Sequence, residues 1–145
     1  MLKVFTDGGA RGNPGPSAGA FAAFEMDKLL HKDHRFFGDG TNNEAEYKAL
    51  IFAYEWVVKN IQNGSQRNIQ FFLDSQLVVR QLMGVYRIKN INLLKFYKTI
   101  KKLEEETGAV KIEYFFIPRE KNKLADKLVN TALDENSIVS RTPRL

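Results

Sequence analysis

Four acidic side chains are the residues of this sequence best suited to carry out chemistry. They lie far apart in the chain and are Asp7, Glu46, Asp74 and Asp126. Each also has an ordinary structural explanation. Asp7 and Gly8 form a turn dipeptide, Glu46 could complement a helix dipole, Asp74 could cap a helix, and Asp126 could be a solvated surface acid. No one of the four identifies a functional site by itself.

The joint placement of these acids is more informative. Asp7 and Asp74 each directly follow a short apolar run that is typical of a central strand. In open α/β sheets, ligands bind at the carboxyl edge of the parallel strands, so both acids are expected at that edge. A helix that begins near Asn43 could place Glu46 over the same edge, whereas periodicity does not place Asp126.

Converging carboxylates would need a cation, because each close pair repels by about 4 kcal/mol at an effective dielectric near 20. The chain has no cysteine, which excludes thiolate ligands, and its only histidines are His31 and His34. Oxygen ligands are therefore favoured. Such ligands suit Mg²⁺ or Mn²⁺, and these ions also bind phosphate oxygens.

The positive charge of the chain is concentrated in one segment. The net charge is +5, yet outside residues 80–102 the chain has 15 cations and 17 acids. The segment contains no acid and seven cations, which are Arg80, Arg87, Lys89, Lys95, Lys98, Lys101 and Lys102. Three aromatic residues accompany them, a combination typical of surfaces that bind nucleic-acid phosphates. The alternative is a solvated helix face.

Composition indicates one globular domain. The chain has 145 residues, of which 43% are hydrophobic and 27% are charged. No apolar run approaches the roughly 18 residues that a membrane-spanning helix needs. We therefore expect a soluble, cytoplasmic and monomeric protein.

Hydrophobic periodicity supplies the elements that must position the acids. Short apolar runs predict strands over Leu2–Thr6, 18–25, 34–37, Ile69–Leu73 and Val110–Ile117. Helical spacing predicts helices from Asn43 to Asn63–Gly64, after Asp74–Ser75, over Leu93–Leu103 and over Leu124–Leu133. A hairpin turn is predicted at His31–Lys32–Asp33. This order indicates an α/β fold with right-handed parallel connections, a domain over residues 1–134 and a C-terminal tail over 135–145.

Four motifs that contain the acids resemble those of the ribonuclease H type 1 family. They are TDGGARGNPGP (Thr6–Pro16), TNNEAEYKAL (Thr41–Leu50), FLDSQLVV (Phe72–Val79) and IPREKNKLADKLVN (Ile117–Asn130). Their order and spacing cover nearly the whole chain to about Leu133. The resemblance implies a five-stranded mixed sheet with helices on both faces. The first three strands would be antiparallel, and the later strands would be parallel to the first.

The resemblance also implies an activity. Enzymes of this family hydrolyse the RNA strand of RNA–DNA hybrids with two metal ions about 4 Å apart, leaving 5′-phosphate and 3′-hydroxyl ends. The ions expected are Mg²⁺ or Mn²⁺. By this resemblance Asp7 would bridge both ions, with Glu46 and Asp74 on the leaving-group side and Asp126 on the water side.

Further residues resemble the substrate contacts of the family. The candidates for contact with the hybrid are Gly8, Asn13, Asn42, Asn43 and Gln76 in the groove, Thr41 at a DNA phosphate, and Lys98, Lys101 and Lys102 along the DNA strand. Amides suit the sensing of 2′-hydroxyls, which both donate and accept hydrogen bonds. As alternatives, Asn42 or Asn43 could cap the helix, and Asn13 could serve the turn before Pro14.

Two departures from the family pattern bear on function. Many relatives have a histidine before the fourth acid, but Phe116–Asn122 contains none, and Arg119, Glu120 or Lys121 could replace it. Residues 80–102 are also too short for the inserted basic protrusion of many relatives. Two rival functions stay open. One is a DNA-acting transposase or integrase core, and the other is a module that binds hybrids without cutting them, although such modules have usually lost an acid.

Overall fold

The computed structural model describes residues 1–61 and 67–141, with side chains described to residue 137. Its elements in chain order are β1 (Leu2–Ala10), β2 (Gly15–Glu25), β3 (Lys28–Gly40), α1 (Asn42–Asn60), β4 (Asn68–Leu73), α2 (Gln76–Leu82), α3 (Ile91–Glu106), β5 (Lys111–Phe116), a 3-10 turn (Arg119–Lys121) and α4 (Lys123–Arg141). Within these described ranges, no helix combines the length and apolarity that crossing a membrane requires.

The five strands form one mixed sheet in the order β3-β2-β1-β4-β5. Strands β1, β2 and β3 are antiparallel neighbours, while β4 and β5 run parallel to β1. This arrangement confirms the predicted fold. The predicted strand Leu2–Thr6 is too short, because β1 continues to Ala10 through its pairing with β2. Its parallel pairing with β4 does stop at Thr6 and Leu73, directly before Asp7 and Asp74.

Helices cover both faces of the sheet. The larger core lies under α1 and α3, where Tyr47, Tyr54, Phe21 and Phe71 are fully buried. On the other face, α4 packs on Ala18 and Ala20 of β2 through Val129, Ala132 and Leu133. Small side chains on β2 let this helix come close to the sheet, and the residue that precedes α4 bonds to Thr6 in the middle of β1.

The predicted hairpin turn at His31–Lys32–Asp33 is wrong. The chain turns instead at Met26 and Asp27, which have φ values of 50° and 63°, and residues 31–33 lie within the long strand β3. Two successive residues with positive φ match the twist of a two-residue hairpin. The sequence Met-Asp is not among the dipeptides that signal such a turn, which explains the error.

The helices begin close to the predicted residues, but α1 ends earlier than predicted and α3 and α4 end later. Thr41 caps α1 in a capping box with Glu44, and Ser75 caps α2 as one of the two predicted candidates. Helix α1 ends at Asn60 with Ile61 as its C-cap, before the predicted stop at Asn63–Gly64, which lies outside the described residues. Helix α4 extends to Arg141 and not only to Leu133, because the polar residues Asp134–Asn136 interrupt the apolar spacing without ending the helix. The division between a domain and a tail at residue 135 stays a prediction.

Candidate active site

The β1–β4 pairing ends where two acids lie side by side: Asp7 inside β1, and Asp74 directly after β4. Because Thr6 and Leu73 are paired, Asp7 and Asp74 follow at neighbouring positions on the same edge of the sheet. Three carboxylates meet there. One oxygen each of Asp7, Glu46 and Asp74 lie within 4.8 Å of one another.

Glu46 reaches this edge because α1 touches β1 closely at Gly8. A Cβ atom on residue 8 would lie 2.2 Å from the carbonyl oxygen of Ala45, so only glycine allows this approach. The backbone N–H of Gly8 then donates a 3.0 Å hydrogen bond to Oε1 of Glu46. The Asp-Gly dipeptide therefore serves helix packing and the position of a second acid, and is not a turn.

Asp126 lies in the first turn of α4 and lines the same open cleft as the other three acids. The cleft has a volume of about 620 Å³ and is predominantly polar. Asp126 is near enough to act electrostatically on Asp7. The structure therefore brings all four predicted acids to one cleft, with three in a tight cluster and Asp126 at its wall.

Burial and mutual repulsion raise the pKa values of two of the clustered acids. Asp7 and Glu46 are only 6% and 5% exposed. Burial, and next the charge of Asp74, raise the pKa of Asp7 from 3.8 to about 7. Burial, and next the charge of Asp7, raise the pKa of Glu46 well above its ordinary value. A cation in the cluster would reverse these shifts, because it stabilises the charged forms.

The donor set of the cluster fits a hard divalent cation. Among the described residues, Oε2 of Glu46 is buried and has no hydrogen-bond partner. Leaving a buried carboxylate oxygen unpaired costs free energy, so this atom lacks a partner that a cation would supply. Three carboxylates and no sulfur ligand are the chemistry that Mg²⁺ and Mn²⁺ prefer.

Comparison with known proteins gives the family. A family model described as Reverse transcriptase-like matches residues 6–132. The crystal structure of LC11-RNase H1 in complex with an RNA/DNA hybrid superposes with a TM-score of 0.89 at 36% identity, covering 94% of this chain and 99% of that one. The chain belongs to the ribonuclease H type 1 family.

Two sequence relatives match most of this chain. Ribonuclease HI of Halobacterium salinarum is 35% identical over 135 residues, which are 92% of this chain and 65% of that protein. The bifunctional protein Rv2228c of Mycobacterium tuberculosis is 35% identical over 133 residues, which are 90% of this chain. The chain spans only 35% of the length of this mycobacterial relative.

Two of the asparagines predicted to contact substrate brace the ribonuclease H scaffold. Oδ1 of Asn13 accepts a 3.0 Å hydrogen bond from the backbone N–H of Asn42, and Oδ1 of Asn42 accepts a 2.9 Å bond from that of Ala10. These bonds join the loop after β1 to the start of α1. Asn42, Asn43 and Gly8 line the cleft.

The other predicted substrate contacts lie outside the cleft lining. Thr41 is engaged in the capping box, and Gln76 is exposed at the start of α2. Lys98 and Lys102 are exposed on α3. Lys101 is less available, because its Nζ lies 2.9 Å from the carboxylate of Glu104 and 3.3 Å from the carbonyl oxygen of Leu82.

Sequence reasoning missed two residues at the site. Arg11 lines the cleft and forms a 2.6 Å ion pair with Asp134 of α4. Asn122 is buried and donates a 3.2 Å hydrogen bond to Oδ2 of Asp74. Of the three residues suggested in place of the family histidine, Arg119 lines the cleft, whereas Glu120 and Lys121 do not. A single arginine or asparagine in a loop gives no periodic signal that would have identified it.

Proposed function

We propose that this protein is an endoribonuclease that hydrolyses the RNA strand of RNA–DNA hybrids. The observation that carries the proposal is the carboxylate cluster, in which oxygens of Asp7, Glu46 and Asp74 lie within 4.8 Å of one another. The relative LC11-RNase H1, which binds an RNA/DNA hybrid, supplies the substrate class.

We propose that four acids would hold two divalent ions, Mg²⁺ or Mn²⁺. These acids are Asp7, Glu46, Asp74 and Asp126. Such ions, when bound, lower the pKa of a water nucleophile and stabilise charge on the phosphate and leaving oxygens. The backbone N–H of Gly8 holds the Glu46 carboxylate in place. Because Asp7 and Glu46 are buried, a bound cation would stabilise their charged forms. Hydrolysis would leave 5′-phosphate and 3′-hydroxyl ends.

The surfaces beside the cleft suit the two strands of a hybrid. Asn42 and Asn43 bring amides to the cleft, where 2′-hydroxyls can both donate and accept. The Thr41 hydroxyl accepts from the N–H of Glu44 and still has its own hydrogen to donate to a DNA phosphate. Lys98 and Lys102 present exposed cations on α3 for the DNA strand.

Arg119 is proposed to occupy the functional place of the family histidine. It lines the cleft from the loop that precedes Asp126. An arginine keeps its charge throughout the pH range of enzymes, so it can neutralise a phosphate oxygen but cannot take up a proton. Arg119 would therefore help to bind the phosphate and to neutralise the charge of the product, and would not transfer a proton.

The test is cleavage of labelled hybrid, duplex DNA and duplex RNA by the purified protein, with Mg²⁺ and with a chelator. The proposal predicts cleavage of hybrid RNA only with Mg²⁺. Asp7→Asn should abolish cleavage and leave hybrid binding largely intact, while the matched surface change Asp39→Asn should have no effect. Cleavage of duplex DNA in preference to hybrid would favour an integrase-like core. Binding without cleavage would favour a non-catalytic module, and wild-type activity of Asp7→Asn would refute the assignment.

A further inference from the structure

Asn122 connects the parts of the chain that carry three of the four acids. It lies in the loop between β5 and α4 and is only 2% exposed. Its side-chain Nδ2 donates to the carbonyl oxygen of Thr6 at 2.8 Å and to Oδ2 of Asp74 at 3.2 Å. Its backbone carbonyl accepts from the N–H of Asp126 at 3.1 Å. One residue thus bonds to the neighbour of Asp7, to the Asp74 carboxylate and to the backbone of Asp126.

The arrangement requires an amide. Both partners of Nδ2 are acceptors, and an amide nitrogen has two hydrogens to give them. An aspartate at this position would direct an oxygen at the two acceptors, and an alanine would leave both without the donor. A carboxylate oxygen has room for one amide hydrogen and a cation together, so this bond can orient Asp74 without removing its capacity as a ligand.

The side-chain oxygen of Asn122 indicates that this residue serves the site through its amide nitrogen and not through packing. Among the described residues, Oδ1 of Asn122 is buried and has no hydrogen-bond partner. A buried polar atom without a partner costs free energy. An apolar side chain would fill this loop without that cost, so packing alone does not account for an asparagine here.

We propose that Asn122 is a positioning residue that fixes the orientation of Asp74 and holds the α4 N-terminus, with Asp126, beside Thr6 and Asp7 of β1. Its effect on cleavage rests on the proposed function, but its effect on ion binding does not. Loss of a hydrogen-bonding partner of a metal ligand typically costs 10–100-fold in metal affinity or activity. Asn122→Ala should lower Mn²⁺ affinity and kcat by about that factor.

The experiment measures Mn²⁺ affinity by electron paramagnetic resonance, and kcat and KM on a labelled hybrid. Asn122→Ala should keep a KM for hybrid within about twofold of wild type, because the amide touches the acids and not the groove. The matched control is Asn136→Ala, which removes an α4 amide that bonds within its own helix, to the carbonyl of Ala132 at 2.8 Å. This control should leave both measurements unchanged.

A measurement on the unmodified protein makes the result independent of variant folding. In a Mg²⁺ titration followed by nuclear magnetic resonance, the side-chain amide signals of Asn122 should shift with the same midpoint as the backbone amide of Gly8. Absence of a shift at saturating Mg²⁺ would overturn the inference, as would a folded Asn122→Ala with wild-type Mn²⁺ affinity and kcat. If the wild type binds ions but does not cleave hybrid, the proposed function fails while these ion-binding results still decide the role of Asn122.

Discussion

Replacing Asp7 by asparagine should stabilise the protein in the absence of metal while removing its activity. Asp7 is buried beside Glu46 and Asp74, and its pKa is raised from 3.8 to about 7 by burial and by the charge of Asp74. Asparagine has the same shape but no charge, and its amide can donate to Glu46. The substitution therefore removes the electrostatic cost of the site and keeps its packing.

The size and sign of the effect follow from proton linkage. A carboxyl group with a raised pKa in the folded state binds a proton that the unfolded chain releases, so stability falls as the pH rises from 3.8 to about 7. This shift in pKa corresponds to about 4 kcal/mol of unfolding free energy, at about 1.4 kcal/mol for each tenfold change in proton affinity. The unfolding free energy of Asp7→Asn should therefore exceed that of the wild type by up to about 4 kcal/mol at pH 8 and by little below pH 4.

Urea denaturation with a chelator, repeated from pH 4 to pH 9, measures this difference. The wild type should lose stability across that range relative to Asp7→Asn, and Asp39→Asn, a change at an exposed acid, should follow the wild type. Mg²⁺ should raise the stability of the wild type more than that of Asp7→Asn, because a ligand stabilises the state that binds it. A variant that is less stable than wild type at pH 8 without metal would refute this reasoning.

Three further predictions concern single residues or pairs. Gly8→Ala should lower the unfolding free energy by about 1–3 kcal/mol, because its Cβ would collide with the backbone of Ala45. In Gly9→Ala the nearest neighbouring atom is 4.0 Å away, so the unfolding free energy should change by less than about 0.5 kcal/mol. Equal losses on urea denaturation would contradict the packing argument. The double variant Lys98→Ala, Lys102→Ala should reduce the slope of log affinity against log salt by about 0.9 for each phosphate that these lysines neutralise. Lys101→Ala should reduce the slope less, because Lys101 is already paired with Glu104. An unchanged slope in the double variant would assign these lysines to a solvated face. Arg119→Ala should lower kcat more than Lys121→Ala, which removes a cation outside the cleft. Steady-state kinetics that ranked the two variants in the opposite order would exclude Arg119 as the replacement for the family histidine.

The part of the site that depends on strands could be predicted from the sequence. Two apolar runs that each end in an aspartate indicate parallel central strands, and the pairing of Thr6 with Leu73 places Asp7 and Asp74 together as expected. The α1 helix was predicted from its period, but the position of Glu46 depends on the contact between Gly8 and Ala45. That contact joins residues far apart in sequence, and periodicity carries no information on it.

The features that were missed depend on long-range partners. Asn122 bonds to Thr6 and Asp74, which are 116 and 48 residues away, so nothing local marks it. The basic segment was recognised from its charge, but the partner of Lys101 is Glu104, just beyond the end of that segment. The turn at Met26 and Asp27 was missed because Met-Asp lacks the glycine that usually marks a two-residue hairpin, although both residues have positive φ.

The central claim is that the clustered acids bind divalent ions, and anomalous diffraction from crystals soaked in Mn²⁺ tests it most directly. We expect anomalous peaks within bonding distance of Asp7, Glu46 and Asp74, and we expect these peaks to be absent from crystals of Asp7→Asn. Crystals at saturating Mn²⁺ with no peak among these three carboxylates, or with peaks only elsewhere on the protein, would contradict the account.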